Sequence, residues 1–231
     1  TYVDEVAYPF PFMNSGPVFD IERIEVLKGP QGTLFGKNAS AGVISIVTKD
    51  PTDELAAEFN ASYGSFNETS LSAAISGPLA EGVSGRISGY SNTRDGYITN
   101  INPNAPQKDI NERNEHGFRG KLKFDGSDTF DLTLGADYSK RDQASGALTL
   151  RSASSPGIGT GLLGYGVQVV GPVSAFSGIV AGPDNKQIAS DAAFTSEMES
   201  YGGYAEANQK FGDFDLVSLT AYREWKSLDN N

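Results

Sequence analysis

Apolar and polar residues alternate along most of the chain after Asp50–Pro51. A period of two is typical of a β-strand whose two faces meet different surroundings. The alternation comes in segments of about ten residues, which predict antiparallel strands. Their apolar positions are, in chain order, Ala57, Phe59, Ala61 and Tyr63; Thr69, Leu71, Ala73 and Ile75; Val83, Gly85, Ile87 and Gly89; Phe118, Leu122 and Phe124; Phe130, Leu132, Leu134, Ala136 and Tyr138; Tyr201, Gly203, Ala205 and Ala207; and Val217, Leu219 and Ala221.

The connections between these predicted strands alternate between short and long. The short turns are rich in Gly, Pro and Asp, and they lie at 77–82, 125–128 and 211–213. The others are a tight link near 65–68, a longer connection near 93–115 and a very long one near 140–198. Short turns at one end of a sheet and longer loops at the other are typical of outer-membrane barrels. A soluble β-sandwich is the alternative, but it does not require connection lengths to alternate.

The polar faces of the predicted strands carry clustered charge. Arg119, Lys121 and Lys123 share one face of a strand, and Asp131 and Asp137 share a face of the next one. Charges of this kind suit the watered interior of a barrel, which again favours the membrane protein.

Composition excludes several classes of function. The 231 residues carry 18 Lys and Arg against 29 Asp and Glu, a formal net charge of -11, which disfavours a general nucleic-acid binder. There is no Cys, so disulfides and thiolate metal sites are impossible, and the single histidine, His116, is a poor metal ligand alone. No apolar run approaches the ~18 residues of a membrane-spanning helix.

The most specific motif precedes the alternating region. Residues 19–36 read FDIERIEVLKGPQGTLFG, and residues 41–49 read AGVISIVTK. This sequence closely resembles that of the plug domain of TonB-dependent outer-membrane receptors. The opening 2–6, YVDEV, resembles the family's strand and turn, with Glu5 where glycine is usual, and 75–79, ISGPL, resembles its second hairpin.

The motif also makes physical sense residue by residue. Gly29 and Pro30 are predicted to end a strand, because Pro has no ladder donor and Gly tolerates positive φ. Glycines further on permit tight turns in a confined space. The resemblance implies that charged residues of the strand help hold the plug against carboxylates of the barrel wall; the alternative is that they are solvated surface groups of the plug. The predicted plug and docking residues are Arg23, Glu25, Lys28, Gly29, Pro30, Gly32, Gly36 and Gly42.

The resemblance implies a mainly β fold: a small α+β plug domain, followed by antiparallel strands of an incomplete transmembrane β-barrel of the 22-stranded type. We expect the C-terminal part of the plug at 1–50 and the first barrel strands at 51–231, with extracellular loops near 93–115 and 140–198. The chain is then expected to be a fragment of a longer receptor.

The implied function is energy-coupled uptake of a scarce nutrient, such as an iron–siderophore complex, across the bacterial outer membrane. The implied partners are that nutrient, outer-membrane lipid and the TonB–ExbB–ExbD complex. We expect no nucleic-acid partner, no cofactor and no enzymatic activity. The ligand-binding residues cannot be assigned from the sequence. A soluble or surface β-sheet binding protein, an adhesin or glycan binder without transport, is the alternative function.

Two further segments have two readings each. Residues 32–38, GTLFGKN, superficially resemble a phosphate-binding loop, but three rather than four residues separate the glycines, and Asn38 stands where Ser or Thr is needed. We therefore predict a structural turn.

The glycine-rich region 140–198 has two interpretations. It is either an extracellular loop that recognises a ligand or a disordered loop.

Overall fold

The computed structural model describes residues 1–8, 19–35, 39–144, 147–150, 179 and 182–230. These residues form three sheets, of four, seven and three strands. The chain divides into two compact units. The first comprises Thr1–Thr93, Asn114–Arg141 and Met198–Ser227, and the second comprises Arg94–Arg113, Asp142–Glu197 and Leu228–Asn231.

The four-stranded sheet forms from the motif that precedes the alternating region. Its strands are β1 (Tyr2–Val3), β2 (Val6–Ala7), β3 (Ile21–Lys28) and β4 (Gly42–Thr48), in the order β2-β1-β4-β3, and a single helical turn, α1 (Gly32–Phe35), lies between the last two. β3 pairs antiparallel with β4, and β1 pairs parallel with β4. Val3, Tyr8 and Ile46 form its buried core. The two strands predicted on either side of the glycine-rich turn are confirmed.

The remaining strands follow in chain order: β5 (Ala56–Gly64), β6 (Glu68–Ala80), β7 (Val83–Arg94), β8 (Ile98–Asn100), β9 (Asp109–Ile110), β10 (Arg113–Ser127), β11 (Phe130–Gln143), β12 (Gln187–Ile188), β13 (Thr195–Phe211) and β14 (Phe214–Asn230). The seven-stranded sheet has the order β14-β13-β11-β10-β7-β6-β5. Each of its strands therefore lies beside the strand of the same sheet that comes next along the chain. β5 pairs antiparallel with β6 in continuous register, and β6 pairs antiparallel with β7 with one register shift near its end. The predicted antiparallel strands are confirmed.

Strand ends differ from the prediction at the turn expected at 77–82. β6 continues to Ala80 and β7 begins at Val83, so the turn shrinks to Glu81 and Gly82. Pro78 lies inside the strand, where the register shifts between Pro78 and Ala80. A register shift interrupts regular ladder bonding, which is where a residue without an N–H can be placed.

The two faces of the seven-stranded sheet differ as the alternation predicts. Large apolar side chains such as Phe59, Ile87 and Phe118 are exposed on one face, whereas Arg86 and Lys121 are buried on the other. In β14 the predicted apolar face is wrong. Arg223 pairs with Asp137 on the charged face, and strand alternation puts Val217, Leu219 and Ala221 on that same face. The face of β14 that was predicted to be apolar therefore carries the Arg223–Asp137 ion pair.

The second unit contains the three-stranded sheet, with β8 between β9 and β12. Its buried cluster consists of Ile98, Ile110, Ala144, Ala147 and Ile188, with Phe194 packed against it. The Asn100 side chain donates to the carbonyl oxygen of Ser190 at 2.8 Å and accepts from the Ser190 amide at 3.1 Å. The ends of the two long connections are thus built into one small sheet. Residues 151–178, the centre of the glycine-rich region, lie outside the described residues.

None of the helices among the described residues is both long and apolar enough to cross a membrane.

Candidate functional site

A buried lysine of β10 contacts the four-stranded sheet. The Lys121 side chain is 3% exposed, and its ammonium donates to the carbonyl oxygen of Thr48 at 3.1 Å and to Asp50 Oδ1 at 3.0 Å. It also lies 3.3 Å from Oδ2 of Asp4, whose side chain is 8% exposed. A buried ammonium needs such partners, because it has lost its hydration. We call the group formed by Asp4, Thr48, Asp50 and Lys121 the Lys121 anchor.

The turn between β1 and β2 presents Asp4 to the anchor. The Thr48 amide donates to Asp4 Oδ1 at 2.8 Å, and the Thr48 hydroxyl donates to Oδ2 at 2.7 Å. The Tyr204 hydroxyl of β13 reaches the same oxygen at 3.4 Å. Asp4 and Glu5 both have positive φ, 46° and 63°, as a two-residue hairpin turn with left-handed central residues requires. Local turn geometry therefore places the carboxylate that β10 and β13 contact.

Replacing Glu5 with Gly is expected to stabilise this turn by about 0.5–1 kcal/mol, because a non-glycine residue is strained at positive φ. Glu22→Gly is the matched control. Glu22 lies in β3 without positive φ, and glycine in a strand interior is expected to destabilise by about 0.5–1 kcal/mol. Urea unfolding of the four-stranded sheet, followed in the full-length protein, measures both changes. A lower midpoint for Glu5→Gly would contradict the expectation.

A second buried ion pair joins β7 to the segment before β3. The side chains of Arg86 and Asp20 are 4% and 6% exposed. Arg86 Nε donates to Asp20 Oδ2 at 2.9 Å, and Nη2 pairs with Oδ1, so the contact is bidentate. Nη2 also lies 3.4 Å from Glu58 Oε1 of β5, and both Glu58 oxygens accept from Lys49, at 2.8 Å and 2.7 Å. We call Asp20, Lys49, Glu58 and Arg86 the Arg86 anchor.

Acid is expected to weaken the Arg86 anchor through Asp20. Burial opposes the ionisation of this carboxyl, but hydrogen bonds and the charge of Arg86 outweigh it, so the pKa of Asp20 lies below its ordinary value of 3.8. The ion pair therefore contributes its full stability at pH values above the ordinary pKa of Asp20. That stability is lost as the pH falls through the lower pKa of the folded state.

Hydrogen exchange of β3 amides, measured from about pH 6 down to about pH 3 and corrected for intrinsic rates, tests this effect. Protection is expected to fall at the acid end, and Asp20→Asn is expected to remove that part of the acid dependence. An Asp20→Asn profile identical to that of the unaltered protein would assign the loss of protection to other carboxylates.

Two aromatic rings of the first unit contact arginines of the seven-stranded sheet. Arg119 donates to the carbonyl oxygen of Phe19 at 3.0 Å, and its guanidinium carbon lies 4.6 Å from the centre of the Phe19 ring. The guanidinium carbon of Arg223 lies 4.5 Å from the centre of the Tyr8 ring, while Arg223 also pairs with Asp137. Burial, with a further contribution from Asp137, raises the pKa of the Tyr8 hydroxyl, which therefore stays protonated.

A partly open cleft of about 210 Å³ adjoins the Arg86 anchor. It lies between the start of β3 and the polar face of β5 to β7, and its lining includes Phe19, Asn60, Ser72, Ser88 and Gly89. Across the described ranges, no group of three or more His, Cys, Asp or Glu side chains is placed to hold a metal ion. The contacts described here are charge pairs between the two sheets.

The structure places the predicted charged docking residues elsewhere than at these anchors. Arg23 and Glu25 pair with each other at 2.6 Å, with side chains 57% and 47% exposed. Their contact with a barrel wall stays a prediction. The buried pairing that the structure does describe uses Asp4 and Asp20, which sequence analysis missed, although it placed Lys121 on a charged interior face. No local signal distinguishes those two aspartates, since each follows or precedes a short strand.

The predicted turn residues lie around the β3–β4 connection. Lys28 is exposed at the end of β3, and Gly29 follows with φ 88° while its amide donates to Ala41 at 3.2 Å. Pro30 precedes the helical turn, in which Gly32 is the first residue. Gly42 begins β4 with φ 155°. Gly36 lies outside the described residues.

Comparison with known proteins finds a family match for the four-stranded sheet and relatives for a longer part of the chain. Residues 1–43 match the family described as TonB-dependent Receptor Plug Domain. The ferric enterobactin receptor PirA of Pseudomonas aeruginosa is 39% identical over 93 residues, which is 37% of this chain and 12% of that protein. The vitamin B12 transporter BtuB of Vibrio vulnificus is 32% identical over 108 residues, which is 47% of this chain and 16% of that protein.

The fold agrees with these matches. The crystal structure of the ferric-catecholate import receptor Fiu from E. coli K12 superposes with a TM-score of 0.69 at 17% identity, covering 98% of this chain and 31% of that chain. The matched region thus spans only 12–16% of the two curated relatives and under a third of the superposed receptor.

The fold is therefore that of a plug domain with part of an outer-membrane β-barrel beside it. Residues 1–43 thus match the plug domain of TonB-dependent receptors, as the plug motif predicted, and the fold of the chain is similar to that of a solved import receptor. The mainly β fold class and the outer-membrane location are confirmed, and the matched relatives are named as a receptor and a transporter.

Proposed function

We propose that the receptor containing this chain imports a scarce nutrient across the outer membrane, and that the nutrient is an iron–siderophore complex. The plug match at residues 1–43, together with a four-stranded sheet anchored to the charged face of barrel strands, carries the proposal. A similar receptor is named for ferric enterobactin, which favours a ferric chelate; another is named for vitamin B12, which is the second candidate.

The proposal assigns a role to each part of the chain. Residues 1–50 form the C-terminal part of the plug and 51–231 the first barrel strands, with the connections near 93–115 and 140–198 on the extracellular side, since short turns face the periplasm. The exposed apolar face, with Phe59, Ile87 and Phe118, contacts membrane lipid. The segment from Arg23 to Gly42 shapes and docks the plug. Opening requires energy from the TonB–ExbB–ExbD complex, and no step is enzymatic.

Uptake by the source bacterium tests this function. Deleting the receptor gene is expected to abolish uptake of one radioactive ferric siderophore from a panel, and restoring the full-length gene is expected to restore it. Removing TonB from the restored strain should abolish uptake again, because the transport step needs energy. Unchanged iron uptake with lost cobalamin uptake would reassign the ligand. Retention of all uptake would favour the alternative, a surface binding protein without transport.

A further inference from the structure

The Arg86 anchor contains four charges, of which two come from each sheet. Asp20 and Lys49 flank strands of the four-stranded sheet, whereas Glu58 and Arg86 lie on β5 and β7 of the seven-stranded sheet. Each barrel charge has a partner in the plug: Arg86 binds Asp20, and Glu58 accepts from Lys49. The charges are therefore paired between the sheets while the plug is in place.

The two barrel charges are also already neighbours. Glu58 is opposite Ala74 of β6, and Arg86 is opposite Ser76 of the same strand, so both project from one face, two positions apart. Arg86 Nη2 lies 3.4 Å from Glu58 Oε1. Only a small side-chain adjustment would turn this contact into a close pair.

We propose that Glu58 is a positioning residue for plug release, which acts by taking over Arg86 when the plug departs. Asp20 and Lys49 leave with the plug, and the guanidinium and carboxylate that remain on the barrel wall then pair with each other. Arg86, whose side chain is 4% exposed, then keeps a carboxylate partner and avoids the uncompensated charge that makes breaking a buried ion pair costly; Glu58, at 45% exposed, is already partly hydrated. The inference rests on the proposed transport function only in assuming that the plug can leave its place.

The Lys121 anchor differs in this respect. The contacts of Lys121 described above, with Asp4, Thr48 and Asp50, all lie on the plug side. Lys121 therefore loses these partners when the plug moves, while Arg86 keeps one. The two anchors therefore have different roles. The Lys121 anchor only holds the plug, whereas the Arg86 anchor holds the plug and also permits its exit.

Hydrogen exchange of β4 amides in the full-length receptor, in urea too dilute to unfold the barrel, measures plug release without substrate or an energy source. Glu58 is the close partner of Lys49 in the closed state, so its role is tested in a Lys49→Gln background, where that contact is already absent. There Glu58→Gln leaves Asp20 on Arg86 in the closed state but deprives the released state of its wall pair. Adding Glu58→Gln is therefore expected to slow exchange about two- to fivefold relative to Lys49→Gln alone, because the Glu58 side chain is partly exposed. Lys49→Gln weakens the closed state alone and is expected to accelerate exchange. The two substitutions are thus expected to change the exchange rate in opposite directions. This result is the distinguishing one, because removing a merely structural Glu58 would accelerate exchange.

Two further variants complete the test. In the same Lys49→Gln background, Glu58→Asp keeps the carboxylate and is expected to leave the exchange rate near that of Lys49→Gln alone, while Glu54→Gln, which alters an exposed carboxylate nearby, is expected to change nothing. Faster or unchanged exchange on adding Glu58→Gln to Lys49→Gln would overturn the inference, as would equal slowing on adding Glu54→Gln. If Glu58→Gln does not assemble, Glu58→Ala gives the same reading. Failure here would leave the uptake proposal standing, because that proposal is tested by substrate import.

Discussion

Lys121→Met is expected to weaken plug docking by about 3–5 kcal/mol. Met approximates the length of the lysine stem but carries no charge, so it leaves Asp4 buried without its ammonium partner. The Thr48 carbonyl oxygen loses its donor as well. Because the anchor joins strands that are far apart in sequence, the expected effect is on the attachment of the plug rather than on the strands of the barrel.

The measurement is urea-induced release of the plug in the full-length receptor, followed by hydrogen exchange of β1 and β4. Lys123→Met is the matched control. Lys123 lies two residues away on the same strand, but its side chain is 36% exposed and pairs with Asp125 at 3.3 Å. Exposed pairs contribute about 0–1 kcal/mol, so this variant should change little. Equal effects of the two variants would show that burial of Lys121 does not determine docking.

Gly42→Ala is expected to destabilise the plug by about 2–3 kcal/mol, because two constraints meet at this residue. Its φ of 155° is a backbone conformation that residues other than glycine rarely adopt. A Cβ at this position would lie 2.6 Å from the carbonyl oxygen of Leu27 on the paired strand β3. Backbone cannot move away without breaking the β3–β4 ladder, in which Lys28 is opposite Gly42.

Thermal or urea unfolding of the plug in the full-length receptor measures the change. Gly32→Ala serves as the control, because a Cβ on Gly32 would meet nothing within 4 Å and its φ is not positive. That substitution is expected to stay within about 0.5 kcal/mol. If Gly42→Ala were as mild as Gly32→Ala, the β3–β4 pairing would have to accommodate a side chain that the present geometry excludes.

Much of the fold follows from local patterns. The period of two identifies strands such as β6 and β11, since each face of a strand requires one kind of residue wherever the strand lies. The Gly29–Pro30 pair predicts the end of β3 because its backbone chemistry is local. The same reasoning fails at β14, where Arg223, paired with Asp137 across the sheet, shares a face with the residues predicted to be apolar.

The sequence by itself determined the strands, their two faces, the alternating connections and the plug motif, all of which depend on neighbouring residues. Only the tertiary structure decided which charges hold the plug. Lys121 reaches Thr48 across 73 positions, and Arg86 reaches Asp20 across 66. Alternation shows that a charge lies on the interior face, but its partner depends on how two sheets pack. Pairing in three dimensions therefore makes Asp4 and Asp20 anchor residues, although nothing in their immediate sequence sets them apart.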